Sequence, residues 1–381
     1  GRMMELVAIS GLFLITAGYA VMIGWFAVPL FRRNRLSVPG DAFPFVSVII
    51  AARNEELNIR DCVNSILEQD YPADRFEILI SDDHSEDRTR EEAEACRNVN
   101  PAVSMTVLEA HDDGGTGKKN AIRRAVAVAA GEWILTTDAD TRRGPGWLRA
   151  MTATGLSENV KMTLGPVRME GNSWFQRIQR LEFLGIMGLT AGSAARKTAL
   201  MCNGANLMYQ KAAFQETGGL TGNLKYASGD DQFLLADFRK RYGSAAAAFA
   251  FSREAIVSTE AQPTLRGFFY QRVRWVSKSP GYRDPQVIFT GALTFLSTTA
   301  ILAALVAGVF TTRLLPVALV CLGIKMLVDL LPVLKMATFF EVMEDMWWYI
   351  PAQLFQLIYV PLVGFTGWLF PFQWKGRVIK A

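Results

Sequence analysis

Three stretches of this chain carry no Asp, Glu, Lys or Arg at all: Leu6 to Phe31, Val287 to Thr312 and Met346 to Trp374. Each exceeds the roughly 20 residues that a helix needs to cross a bilayer core, so each reads as a membrane segment. A fourth, Leu314 to Leu334, is equally apolar apart from Lys325 and Asp329, whose i, i+4 spacing on a helix lets them neutralise each other inside the membrane. The first stretch is too long for the apolar core of a signal peptide, and Val28-Pro29-Leu30-Phe31 offers no small-residue cleavage pattern, so it reads as an uncleaved anchor. Arg32, Arg33 and Arg35 follow it, and because positive flanks stay in the cytoplasm the middle of the chain is expected in the cytosol.

Composition agrees. Hydrophobic residues make up 50% of the chain, high for a soluble enzyme, and the excess sits in those stretches. Cys62, Cys96, Cys202 and Cys321 are scattered without metal or disulfide spacing, as in a reducing compartment. A formal charge of +4 is too small to argue for nucleic acid, and basic residues beside apolar helices suit an anionic leaflet of membrane lipids.

Between the first two apolar stretches the pattern alternates. Phe45 to Ala51, Phe76 to Ser81, Val103 to Glu109 and Trp133 to Thr137 read as strands, while Glu56 to Glu68, Asp87 to Asn98 and Lys119 to Ala130 read as helices. This βαβαβαβ order predicts an α/β fold with a mostly parallel sheet and helices on both faces. Ligands of such sheets bind at the carboxyl ends of the strands, where Arg53-Asn54-Glu55, Asp82-Asp83 and Asp138-Ala139-Asp140 stand. Farther on, Trp174 to Ala195 and Phe268 to Lys278 mix apolar and cationic residues and suit helices lying in the membrane interface; ordinary core helices are the alternative.

Asp138-Ala139-Asp140 is the sharpest single signal, because two carboxylates one residue apart at a strand end can bridge a divalent cation to a diphosphate. Alone it is weak, since aspartates also populate turns for local hydrogen-bonding reasons. Asp82-Asp83-His84-Ser85 offers acceptors for a base or ribose, or else caps the next helix. Gly114-Gly115-Thr116-Gly117-Lys118-Lys119 lacks the spacing of a triphosphatase loop, because Asn120 stands where a hydroxyl residue is needed, yet it can still present Lys118 to a diphosphate.

Together these pieces resemble the family 2 glycosyltransferases from about Val46 to Trp275. Val48 to Glu56 is similar to the opening strand and nucleotide loop, Ile80 to Ser85 to the second loop, Gly117-Lys118 with Ala121-Ile122 to the lysine motif, and Thr137 to Asp140 to the metal motif. Cys202-Asn203-Gly204-Ala205-Asn206 resembles the acceptor-side loop, Gly229-Asp230-Asp231 the acidic pair, and Gln271-Arg272-Val273-Arg274-Trp275 the Gln-x-x-Arg-Trp motif of the membrane-integrated branch. Arg53 departs from a common Tyr and Asp230 from a more frequent Glu, which leaves the base contacts and pocket shape open.

The resemblance implies a GT-A fold and an inverting, metal-dependent hexosyl transfer from a nucleotide sugar, with a UDP-sugar expected ahead of a GDP-sugar and Mg2+ or Mn2+ as the metal. It implies that Asp231, beside Asp230, is the general base; that Asp140 binds the metal, with Asp138 completing the shell or touching ribose; and that Ala51, Arg53, Glu55, Asp82, Asp83 and Lys118 line the nucleotide site. Arg274 would meet the diphosphate, Trp275 would wall the acceptor site or anchor the interface, and Gln271 would bridge them. The acceptor is a membrane lipid or a growing glycan. The small number of apolar spans, too few for a good polymer conduit, favours the lipid over a processive polysaccharide synthase, and intact Asp138, Asp140, Asp231 and Arg274 disfavour a non-catalytic scaffold. The expected organisation is an anchor over 1–31, a cytosolic GT-A domain over 40–282 with interfacial helices near 174–195 and 264–279, and apolar segments over 286–374, placed in a bacterial inner membrane. Pro351 and Pro361 are expected either to leave the last segment as a span or to break it into a re-entrant hairpin returning Lys375, Arg377 and Lys380 to the cytosol. The oligomeric state is not readable.

Overall fold

The computed structural model describes residues 2–32, 42–109, 117–221, 230–311, 313–369, 372–374 and 377–379. Arg33, Arg35, His111, Gly114, Gly115, Thr116, Gly229, Lys375 and Lys380 therefore lie outside the described residues, and Arg377 is described in its backbone alone.

In chain order, α1 (Arg2–Arg32) precedes β1 (Val46–Ala52), α2 (Ile59–Leu67), β2 (Phe76–Asp82), α3 (Thr89–Glu94), β3 (Ser104–Leu108), α4 (Lys118–Val128) and β4 (Trp133–Asp138). There follow β5 (Thr141–Arg143), α5 (Trp147–Ser157), β6 (Met162–Leu164), β7 (Val167–Glu170), α6 (Trp174–Ala195), β8 (Leu207–Gln210), α7 (Lys211–Glu216) and α8 (Asp230–Tyr242). Then come β9 (Ala247–Phe249), β10 (Val257–Glu260), α9 (Leu265–Val276), α10 (Pro285–Gly308), α11 (Leu314–Phe340) and α12 (Tyr349–Leu369). They form two compact units, one of Asn34–Glu170 with Ser193–Glu260, the other of Gly1–Arg33, Gly171–Gly192 and Ala261–Ala381.

The first unit is a GT-A fold. Its main sheet has the order β3-β2-β1-β4-β8-β6-β9. The pairs from β3 to β4 are parallel, as the alternating pattern requires, and β8 runs antiparallel to both β4 and β6. Strand β1 is buried along nearly its whole length, which is why it reads as an unbroken apolar run instead of an alternating one. Helix α2 buries Ile59, Cys62, Val63, Ile66 and Leu67, the stripe expected at i, i+3, i+4, i+7 and i+8. A smaller sheet, β5-β10-β7, lies in the same unit.

In the second unit, α1, α10, α11 and the segment Met343–Gly367, which takes in most of α12, are long and apolar enough to cross a membrane. Leu12, Ile301, Ala304, Ala318, Cys321 and Leu357 form one buried cluster among them. Close packing here depends on small residues: a Cβ on Gly192 of α6 would lie 2.1 Å from the Phe26 carbonyl oxygen, and one on Gly188 would lie 2.6 Å from Pro332. Lys325 and Asp329 do meet, Nζ to Oδ2 at 2.6 Å, and Tyr19 donates to the other carboxylate oxygen at 2.6 Å. Of the two alternatives for the last apolar segment, the hairpin does not form among the described residues. Helix α12 is continuous through Pro361, and Pro351 falls in its first turn, where a backbone N–H has no helical partner to lose.

Candidate active site

The sheet register aligns the motifs. Ala52 stands opposite Asp82 and Ala51 opposite Asp138, so the chain leaves β1, β2 and β4 at one carboxyl edge. There Arg53 Nη1 donates to the Asp83 carbonyl at 2.9 Å, Arg124 Nη2 donates to the Asp82 carbonyl at 2.7 Å, and Asp83 Oδ1 accepts the Gly117 N–H at 2.8 Å. The capping alternative gives way: α3 begins at Thr89, whose N–H is taken by Asp87, while Asp82 Oδ2 accepts the Ser85 N–H at 3.2 Å. Gly117 sits at φ +109°, a conformation closed to most side chains, and so turns the chain sharply into α4 with Lys118 as its first residue.

Lys118 is the hub of the site. Its Nζ lies 2.5 Å from Asp138 Oδ1. A Cβ on Gly204 would stand 3.5 Å from that same Nζ and 3.5 Å from the Asp231 Cβ, so the lysine, the glycine loop and Asp231 meet at one point. Asp231 Oδ2 accepts the Gly204 N–H at 3.0 Å, and its Oδ1 accepts that of Gln232 at 2.7 Å. Burial works against charge on Lys118, but Asp138, Asp230 and Asp231 outweigh it and hold the ammonium protonated well above its ordinary range. Asp140 moves in the uphill direction for an acid: the crowding of protein around it, then the charges of Asp138 and Glu55, push its carboxyl up to about 6, with Lys118 pulling back.

Several carboxylates thus surround the Lys118 ammonium. Among the described residues no cluster of three His, Cys, Asp or Glu is arranged to enclose a metal. Asp138 and Asp140 are carboxylates whose chemistry suits a hard divalent cation.

Sequence reading missed the residues that brace this turn. The Asp138 carbonyl accepts from Thr141 Oγ1 at 2.6 Å and from the buried Cys62 thiol at 3.4 Å, and burial pushes that thiol's pKa up, keeping it protonated. Arg143 is buried with its guanidinium 4.7 Å from the Trp147 ring, and Trp147 Nε1 donates to Asn206 Oδ1 at 2.9 Å. Asn206, from the loop assigned to the acceptor side, is fully engaged inside, donating to Pro166 and Ala255 carbonyls at 2.9 and 2.8 Å. Apart from Asn206 none lies in a quoted motif, and no periodicity marks such partners. Gln271, Arg274 and Trp275 stand on α9 in the apolar unit, where the Trp275 ring lies 4.2 Å from the Arg272 guanidinium and 6.1 Å from the Phe183 ring.

Two family descriptions match the chain. "Glycosyl transferase family 2" covers residues 47–218, and "Glycosyl transferase family group 2" covers residues 133–370, more than half of it. The chain belongs to the family 2 glycosyltransferases. Among relatives in this family, the glycosyltransferase AglE of Haloferax volcanii is 24% identical over 220 residues, spanning 58% of this chain and 68% of AglE. The beta-monoglucosyldiacylglycerol synthase of a Synechocystis species is 34% identical over 114 residues, 30% of this chain and 23% of that enzyme, so the match spans about a quarter of the relative's length. Among solved glycosyltransferases, the mannosyltransferase PcManGT from Pyrobaculum calidifontis, in complex with GDP-Man and Mn2+, superposes with a TM-score of 0.61 at 17% identity, covering 94% of this chain and 98% of that one. That likeness carries the fold.

Proposed function

We propose that this chain is a membrane-integrated, inverting transferase of the Gln-x-x-Arg-Trp branch that moves a hexosyl group from a nucleotide sugar to a membrane lipid. The observation that carries the reading is the gathering of Asp138, Asp140, Asp230 and Asp231 around the Lys118 ammonium at the carboxyl edge of the sheet. Such a site suits a diphosphate arriving with its own cation.

In this reading Asp231 takes the proton from the acceptor hydroxyl as its oxygen attacks the anomeric carbon, and the bond from that carbon to the nucleotide diphosphate breaks on the opposite face. Asp140, with Asp138, would hold a divalent cation, Mg2+ or Mn2+, which would supply neutralising charge for the departing diphosphate. Lys118 and Arg274 face the phosphates, where the planar guanidinium makes two charge-assisted hydrogen bonds. Ala51, Arg53, Glu55, Asp82 and Asp83 hold the nucleoside, with uridine ahead of guanosine by resemblance. Trp275 walls the acceptor site, and Gln271 links the two sides.

We assign 1–31 and 286–374 to the membrane and 40–282 to a cytosolic catalytic domain with α6 and α9 at the interface, in a bacterial inner membrane. The lipid acceptor is supported by the Synechocystis relative named for a glycosylated diacylglycerol, and four segments among the described residues are long and apolar enough to bring the chain to a membrane. Labelled sugar nucleotide supplied with a lipid extract tests it. One discrete product soluble in organic solvent is expected; a water-soluble ladder would make the enzyme a polysaccharide synthase, and inactivity with every donor would make it a scaffold.

A further inference from the structure

Arg272 lies inside the Gln-x-x-Arg-Trp motif but is not one of its named positions, and its side chain is engaged on several sides. It is buried together with Glu182, their side chains only 4% and 5% exposed, and its Nη2 lies 2.5 Å from Glu182 Oε2. The second oxygen of Glu182 accepts the hydroxyl of Tyr359, so one carboxylate on α6 joins α9 to α12. The other end of the guanidinium donates from Nη1 to Gln271 Oε1 at 2.5 Å. Its planar faces are filled too, 4.5 Å from the Phe268 ring and 4.2 Å from the Trp275 ring.

A buried ion pair is a weak way to stabilise a fold, because desolvation offsets most of the attraction and apolar packing would do as well. What the fork does provide is direction. Five donors fixed in a plane set the Gln271 amide by hydrogen bonding and the Trp275 ring by stacking, which a lysine, a point charge on a flexible stem, cannot do together.

We infer that Arg272 is a positioning residue for the transfer: clamped by Glu182 and, through it, by Tyr359 of the apolar helix α12, it fixes the orientations of Gln271 and Trp275. The inference rests on the proposed roles of those two residues and adds a dependence of the motif on a membrane helix.

The test is steady-state kinetics of the full chain in lipid nanodiscs with Arg272→Lys and Tyr359→Phe, varying donor and lipid acceptor separately. A role confined to folding lowers the fraction of active protein, and hence kcat, leaving both KM values in place. Arg272→Lys is expected to raise the acceptor KM about ten-fold with the donor KM within about two-fold, and Tyr359→Phe to move it the same way by about three-fold. A fall in kcat with both KM values unchanged, or wild-type kinetics in either variant, overturns the inference. If Arg272→Lys does not fold, Tyr359→Phe decides alone by the same criterion. A wild-type chain that transfers no sugar from any nucleotide donor withdraws the functional reading and this inference with it, whereas wild-type turnover with unshifted acceptor KM values sinks the inference alone.

Discussion

Asp231 is held by two backbone N–H groups, from Gly204 and Gln232, and neither contact needs its negative charge. Asparagine at this position keeps one of the two acceptor oxygens, enough for one of these N–H groups, but cannot take a proton, so Asp231→Asn is expected to lower transfer by roughly 10²–10⁴-fold, with nucleotide-sugar binding nearly intact in a thermal-shift titration. Retained turnover removes Asp231 as the base. Asp140 gives a pH-dependent prediction. Its carboxyl, raised from an ordinary 3.8 to about 6, binds a proton more tightly in the folded chain than in the unfolded one. The stability this supplies is present at low pH and is lost as pH rises from about 4 to about 6. In EDTA above pH 6, Asp140→Asn should therefore melt higher than wild type, the two should melt alike near pH 4, and excess Mn2+ should reverse the order at neutral pH. Parallel melting curves at every pH would contradict this. At the residue scale the sequence shows which carboxylates end strands, because strand ends are marked by where apolar runs stop. It hides Thr141, Cys62 and Arg143, which act on the Asp138 turn through contacts that only the folded chain creates.

Among the elements, α11 is the most exacting. Lys325 also donates to Gln356 at 2.8 Å, so the ion pair is satisfied from both α11 and α12. Removing one partner leaves a buried charge uncompensated, so Asp329→Leu alone should cost about 3–5 kcal/mol, and adding Lys325→Met should recover most of it. Thermal melting in detergent reads both; a double variant no better than the single one contradicts the pairing. The helix and strand order from β1 to β4 is legible because buried parallel strands and amphipathic helices have distinct periods. The antiparallel β8 is not, since four residues, Leu207–Gln210, are too few to show a period and their direction is set by the sheet they join. Pro351 and Pro361 left a break and a continuous helix both open in the sequence; α12 is continuous, Pro351 costing no helical hydrogen bond in the first turn and Pro361 lying inside the helix.

For the whole molecule, the chain divides into a sheet unit carrying the acidic edge and an apolar unit carrying the Gln271–Trp275 motif. The family and fold follow from motifs strung in order along the sequence, whereas the sugar, base and acceptor depend on pocket shape, which no motif encodes. The most direct measurement is nucleoside diphosphate release by the purified full chain in lipid extract, from UDP- and GDP-sugars with Mn2+, before and after EDTA. Release is expected to be matched one for one by sugar entering a single organic-soluble product, and to be lost on chelation. Transfer that continues undiminished in EDTA, or no release from any donor with Mn2+ present, would contradict it.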